Sequence, residues 1–129
     1  MLKSDDIEKI RDFCTKYRKI AALYVFGSMA TGRNRKKSDI DLAIIVRSHI
    51  ESMERVDMET EFSNLLHRDV DLILFDQATP LMQHQILKNG HLLYEADPQE
   101  RIRQEVCARR AYLDSAFLYR KLKQEQIHG

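Results

Sequence analysis

A glycine-serine pair and a pair of aspartates, each beside an apolar run, place the tightest limits on how this chain folds. Gly27-Ser28 follows the apolar run of residues 21–26, and Asp39-Ile40-Asp41 opens the run of residues 40–46. Each run is short and dense in apolar residues, which predicts a buried strand. Residues i and i+2 of a strand point to the same face, so the two aspartates are expected to project together while Ile40 packs behind them.

These residues predict a site for a metal ion and a phosphate. Parallel carboxylates repel each other unless a cation lies between them, and Asp71 adds a third carboxylate on the strand predicted at residues 70–75. If the two aspartate-bearing strands are neighbours, the three side chains can converge. Oxygen ligands alone favour Mg²⁺ over Zn²⁺. The Gly27-Ser28 turn supplies N–H groups and a hydroxyl that can hold a phosphate, so the residues indicate phosphoryl or nucleotidyl transfer.

Helical and strand patterns alternate along the rest of the chain. Helices are predicted at residues 5–18, 49–67, 80–88 and 97–126, a weak strand at 91–95, and a helical turn or short helix at 28–35. Asp5 and Glu8 are expected to cap the first helix. A chain of 129 residues without a long linker suits a single domain.

Bulk composition narrows the class of protein. The net charge of +1 gives no overall basic field, so direct nucleic-acid binding is not expected, and the basic loop of residues 33–37 is interpreted as a solvated loop. No apolar run approaches the length that crosses a bilayer, so no membrane association is expected. Cys14 and Cys107 match no metal or redox spacing and are expected to be small buried side chains. The expected location is the cytoplasm.

The motif carries a family resemblance. Phe-Gly-Ser-Met-Ala-Thr-Gly, then Ser-Asp-Ile-Asp-Leu-Ala, with a third aspartate on a later strand, resembles the polymerase-β-type nucleotidyltransferase superfamily. The small size is similar to that of its minimal nucleotidyltransferases, or MNT proteins. The resemblance implies an α/β fold with a small mixed sheet flanked by helices and a long C-terminal helix. Residues 1–95 would form the core, and residues 96–129 an extension that packs on the core or on a partner.

The resemblance also implies roles and a reaction. Gly27 and Ser28 would bind the nucleoside triphosphate, Asp39 and Asp41 would ligate two Mg²⁺ ions, and Asp71 would complete the metal site beside the attacking hydroxyl. Many MNT proteins are antitoxins of HEPN-domain ribonuclease toxins. The implied reaction is therefore transfer of AMP from ATP to a hydroxyl, expected to be a tyrosine, of such a toxin. Two alternatives stay open: a binding module that neutralises its partner by complex formation, and a small-molecule nucleotidyltransferase.

The predicted C-terminal helix has more apolar width than one core-facing stripe requires. Its first stripe consists of Ile102, Val106, Leu113 and Phe117, and Tyr112, Ala116 and Tyr119 extend it around the helix. Either the domain wraps this helix into its own core, or a second protein chain covers the excess, as another copy or as a different partner.

Overall fold

A four-stranded mixed sheet lies at the centre of the part of the chain that the computed structural model describes, residues 2–27 and 39–128. The strands are β1 (Ile20–Phe26), β2 (Ile40–Val46), β3 (Val70–Leu74) and β4 (His91–Glu95), in the order β3-β2-β1-β4. β1 is antiparallel to β2 and to β4, whereas β2 and β3 are parallel. The predicted α/β fold with a small mixed sheet is confirmed, and each predicted strand agrees with the observed one to within a residue at either end.

Helices cover both faces of the sheet. They are α1 (Ser4–Lys16), α2 (Ser52–Leu66), α3 (Pro80–Asn89) and α4 (Pro98–His128), with a 3₁₀ turn at Phe75–Gln77. α1 and α2 pack on the face that carries Leu42 and Ile44, and α3 and α4 pack on the face that carries Ala43 and Ile45. Successive side chains of β2 are apolar on both faces, so both faces have to be covered. No helix in the described ranges is both long enough and apolar enough to span a membrane.

The predicted cap of the first helix is wrong. α1 begins at Ser4 rather than Asp5, and the backbone N–H of Lys3 donates to Asp6 Oδ2 at 3.3 Å. Asp5 instead lies in the first turn and pairs with Lys9 at 3.3 Å. The helix begins one residue earlier than predicted, which moves the capping role from Glu8 to the acid in the first turn, Asp6. α1 also ends at Lys16, two residues before the predicted end at residue 18.

Only the first half of α4 packs against the domain. Its buried residues are Gln104 and Ala108, which are 5% and 3% exposed. Gln104 Nε2 donates to the Val46 carbonyl oxygen at 3.2 Å, and the small Ala108 side chain lets the helix approach the sheet. Farther along, Tyr112 stacks on His84 of α3 with ring centroids 3.8 Å apart.

The apolar stripe of α4 is therefore exposed, so of the two alternatives left open by the sequence, packing of this stripe into the domain's own core does not occur. Ile102, Val106, Leu113 and Phe117 are 50%, 41%, 65% and 63% exposed. Tyr119, which extends the stripe, is 67% exposed. Leu118 and Leu122 are 58% and 60% exposed. Gln104 and Ala108 are the side chains of α4 that pack on the sheet, and the large apolar side chains of α4 are exposed.

Candidate active site

Asp41 and Asp71 lie directly opposite each other on the parallel pair of strands. β2 and β3 pair in the register Ile40 with Val70, Asp41 with Asp71 and Leu42 with Leu72. The flanking residues of each aspartate point into the core between the sheet and α2, so both carboxylates lie on the other face of the sheet. The two aspartate-bearing strands are neighbours, which meets the condition under which their carboxylates can converge.

The end of β1 brings a glycine into contact with one of these carboxylates. Phe26 pairs with Asp41 across the antiparallel strands, and Gly27 follows it with a φ of +73°. A Cβ atom at Gly27 would overlap Asp41 Oδ2. The left-handed backbone and the missing side chain are thus both required where the turn meets the carboxylate.

Asp41 stands in an unfavourable environment for a negative charge. It is half-buried, and that burial raises the pKa of its carboxyl group above the ordinary value. The negative charges of Asp71 and Asp39 raise this pKa further. A cation beside these carboxylates would neutralise the repulsion between them, which is the second contribution to the raised pKa after burial.

Asp39 lies outside the paired segments of β2 and β3, although its charge acts on Asp41. It is exposed and precedes β2, whose first residue, Ile40, donates its N–H to the Asp69 carbonyl oxygen at 2.9 Å. Across residues 2–27 and 39–128, no three His, Cys, Asp or Glu side chains form a group that could hold a metal ion. The structure therefore brings Asp41 and Asp71 together, and a joint role for Asp39 stays a prediction.

An open pocket of about 660 Å³ begins at the facing aspartates and runs along β3. Its size is within the usual range for small-molecule sites, roughly 300–1,000 Å³. Phe26, Asp41 and Asp71 line it, together with residues of α2, of β3 and of the segment from the 3₁₀ turn to the first turn of α3: Arg55, Glu59, Leu72, Ile73, Leu74, Gln77, Ala78, Thr79 and Met82. Asp39 is not among the described residues that line it.

Sequence reasoning missed the polar residues of this pocket wall. Arg55 and Glu59 lie in the helix predicted at residues 49–67, a stretch of many charges that does not single them out as site residues. Their i,i+4 spacing, which suits an ion pair on one helix face, was the available indication. The pair has formed, with Arg55 Nη1 3.1 Å from Glu59 Oε2. Thr79 lies at the cap of α3, where its hydroxyl accepts from the N–H of Met82 at 3.2 Å.

Part of the predicted site lies outside the described residues. This applies to Ser28, to the helical turn predicted at residues 28–35 and to the basic loop of residues 33–37. Gly27 is the last described residue before that segment.

The donor chemistry that the described residues offer fits a hard divalent cation. Asp41 and Asp71 present only oxygen atoms, from one half-buried and one exposed carboxylate on adjacent strands. Mg²⁺ prefers such oxygens and is commonly held by one or two carboxylates together with substrate phosphates. A glycine turn, paired carboxylates and a mixed α/β sheet together define the class of nucleotidyltransferases.

The chain belongs to the family described as polymerase beta, nucleotidyltransferase, whose model matches residues 8–99. Among characterised relatives, the protein adenylyltransferase MntA of Shewanella oneidensis (strain MR-1) is 28% identical over 76 residues. That alignment covers 59% of this chain and 55% of MntA, so the chain spans about half the length of this relative.

Solved structures share the fold along almost the whole chain. A toxin–antitoxin structure with AMP-PNP matches with a TM-score of 0.78 at 21% identity, covering 95% of this chain and 98% of the other. A structure of the tri-AMPylated Shewanella oneidensis HEPN toxin with its MNT antitoxin matches with a TM-score of 0.73 at 20% identity, covering 96% and 97%. At these identities the likeness establishes the fold, including the position of the long C-terminal helix.

Proposed function

We propose that this chain is a Mg²⁺-dependent protein adenylyltransferase that acts as an antitoxin in the cytoplasm. It would transfer AMP from ATP to a hydroxyl group, expected to be a tyrosine, of a HEPN-domain ribonuclease toxin. The observation that carries the proposal is the in-register pair Asp41–Asp71 beside the Gly27 turn, in a chain of the nucleotidyltransferase family. The relative named protein adenylyltransferase and the solved complexes with AMP-PNP and with an AMPylated HEPN toxin support the choice of nucleotide and acceptor.

Each site residue has a distinct role in this proposal. Gly27 and Ser28 bind the triphosphate, with Gly27 leaving room for a phosphate beside Asp41. Asp39 and Asp41 hold the metal, and Asp71 completes the site on the side of the attacking hydroxyl. Two bound Mg²⁺ ions would neutralise the negative charge that develops on the attacking and leaving oxygens.

The reaction is an in-line displacement at the α-phosphorus of ATP. The tyrosine oxygen forms a bond to this phosphorus, the bond to the bridging oxygen of pyrophosphate breaks, and Asp71 accepts the hydroxyl proton. The products are an AMP-modified tyrosine and pyrophosphate. Near the active site of a ribonuclease, the added phosphate and nucleoside would repel and obstruct the RNA backbone.

The chain would divide these tasks between two segments. Residues 1–95 form the catalytic core, and residues 96–129 carry the surface that binds the toxin. The exposed apolar side chains of α4 support this division, because Leu113, Phe117 and Tyr119 are each more than half exposed in the single chain. A group of large exposed apolar side chains on one helix is typical of a binding site for another protein.

The reaction is tested by intact-mass measurement. The chain is incubated with ATP, Mg²⁺ and the HEPN-domain protein that co-purifies with it, and the mass of that protein is followed. Stepwise increases of one AMP unit are expected with the wild-type chain and none with the Asp39→Asn/Asp41→Asn double variant. An unchanged partner mass in the wild-type reaction would contradict adenylyl transfer.

A second candidate function, neutralisation by binding alone, is favoured by the same exposed face of α4. The double aspartate variant separates the two, since it keeps α4 intact. If cells carrying this variant are still protected from the toxin, and the toxin stays unmodified, complex formation is sufficient. Loss of protection with retained binding assigns neutralisation to the transfer reaction.

A further inference from the structure

β3 is an edge strand of the sheet, yet the peptide groups on its open side are bonded to α2. The N–H of Val70 donates to Ser63 Oγ at 3.1 Å, and the N–H of Leu72 donates to Glu59 Oε2 at 2.8 Å. Arg55 Nη1 donates to the Leu72 carbonyl oxygen at 2.7 Å. These residues flank Asp71, so its neighbours on both sides are anchored to one helix.

The three side chains form a single line along α2. Arg55, Glu59 and Ser63 are spaced i, i+4 and i+8, which places them on one helix face. The ion pair between Arg55 and Glu59, 3.1 Å long, fixes the first two relative to each other. Both are partly buried, with side chains 31% and 28% exposed, so their bonds to the strand are shielded from competition by water.

From this geometry we propose that Glu59 and Ser63, supported by Arg55, are positioning residues that hold Asp71 level with Asp41. The inference rests on the proposed function, in which both carboxylates act on one reaction. β3 has five residues and only one neighbouring strand, so β2 is the only strand that can fix its register. A slip of one residue would turn Asp71 to the opposite face of the sheet. The bonds from α2 oppose that slip at the two residues where it matters for the site.

The other edge of the sheet offers a matched control. There, Arg11 Nε of α1 donates to the Leu93 carbonyl oxygen of β4 at 2.8 Å. This is also a bond from a helix side chain to an edge strand, but it lies two strands away from β2. Arg11→Met therefore measures what the loss of such a bond does to stability without changing the setting of Asp71.

Metal binding provides a test that does not depend on catalysis. The dissociation constant for Mn²⁺, without nucleotide, is measured by water-proton relaxation for the wild type, Glu59→Ala, Glu59→Gln, Ser63→Ala, Ser63→Thr and Arg11→Met. Removing a residue that orients a metal ligand typically costs about 10-fold or more in affinity. A loss of about that size is expected for Glu59→Ala and Ser63→Ala. Glu59→Gln and Ser63→Thr keep an acceptor oxygen and are expected to restore most of the affinity, and Arg11→Met should leave it unchanged.

Other outcomes overturn the inference. If Glu59→Gln is as weak as Glu59→Ala and Ser63→Ala binds normally, the charge of Glu59 matters rather than its bond to the strand. If Arg11→Met weakens Mn²⁺ binding as much as Ser63→Ala does, general stability explains the loss. If the wild-type chain binds no Mn²⁺, Asp41 and Asp71 do not form a metal site that these residues could position, and the inference is also overturned.

Transfer kinetics distinguish this inference from the proposed function. With the HEPN-domain partner as acceptor, Ser63→Ala is expected to lower kcat about 10-fold with little change in the KM for ATP, and Ser63→Thr to restore it. A loss confined to KM would contradict a role in setting Asp71. If the wild type transfers no AMP but the Mn²⁺ series behaves as expected, the proposed function fails and the positioning role stands.

Discussion

Gly27 is constrained at once by its backbone and by its neighbour. Its φ of +73° costs any residue with a Cβ about 1–2 kcal/mol, and a Cβ here would also overlap the Asp41 carboxylate. Gly27→Ala is therefore expected to lower the free energy of unfolding by at least that amount. It should also abolish AMP transfer, because Asp41 has to move. Urea unfolding and the intact-mass assay measure the two effects.

Gly90→Ala is the matched control for this substitution. A Cβ at Gly90 would overlap the Ile86 carbonyl oxygen, but Gly90 has an ordinary negative φ of −80° and contacts none of the site aspartates. This variant is expected to lose stability and to keep transfer activity per folded molecule. If it loses activity to the same degree as Gly27→Ala, destabilisation alone accounts for both results.

Asp41 is expected to lower the stability of the metal-free protein. Its pKa is raised in the folded state, so folding favours the protonated form, and the associated stability is lost as the pH rises above the ordinary value of 3.8. In EDTA at pH 7, Asp41→Asn should therefore raise the free energy of unfolding by roughly 0.5–1 kcal/mol, the effect of removing a like charge across a strand pair.

This gain should disappear below pH 3.8, where the wild-type carboxyl group is protonated as well. Asp57→Asn, on the exposed surface of α2, serves as the control and should change stability by less than about 0.5 kcal/mol. Urea titrations at a series of pH values give the comparison. A loss of stability in Asp41→Asn at pH 7 would mean that the ionised carboxylate has a partner that offsets its burial.

Among the helices, α4 separates a packed half from an exposed half. The double variant Leu113→Ser/Phe117→Ser changes side chains that are 65% and 63% exposed, so it should alter the free energy of unfolding by less than about 0.5 kcal/mol. It should nevertheless abolish binding to the proposed HEPN-domain partner, measured by calorimetry. Partner binding that survives the double variant would remove α4 from the interface.

Ala108→Leu, at a position 3% exposed, should lower the free energy of unfolding by about 1–3 kcal/mol through overpacking.

β1 and β2 were predictable because nearly all of their residues are buried, on both faces of the sheet, and therefore form apolar runs. The packed face of α4 was not predictable, since it is formed by Gln104 and Ala108 instead of the large apolar residues. Gln104 is buried because its amide meets the Val46 carbonyl oxygen, 58 positions away in sequence. Local periodicity contains no information about such a partner.

Part of the geometry around the candidate site was also predictable. Alternation along β3 placed Asp71 opposite the core, and the structure adds the register that pairs it with Asp41. The residues that anchor β3 were missed, because Glu59 and Ser63 accept bonds from backbone N–H groups. Nearly every residue type has such a group, so the sequence of β3 does not indicate these partners. Their polar spacing on α2 is equally compatible with a solvated helix face.

Considered as a whole molecule, the chain keeps its thiols in contrasting surroundings. Burial raises the pKa of Cys14 to about 12, whereas Cys107 is exposed on α4, contrary to the expectation that both are buried. At pH 8 a thiol reagent such as DTNB should therefore modify one thiol in the native protein and both in urea. Mass mapping should locate the fast site at Cys107. Equal rates at both thiols would indicate that α1 opens readily from the sheet.

The bonds from helix side chains to both edges of the sheet restrict how this protein can bind other proteins. An added strand would need backbone groups that these bonds already occupy. On β4 the bond comes from Arg11 of α1, and on β3 the bonds come from Ser63, Glu59 and Arg55 of α2. Exposed strand edges are templates for fibril growth and for partners that bind by strand addition. Occupied edges disfavour both kinds of strand addition, and they therefore favour recognition through helix surfaces.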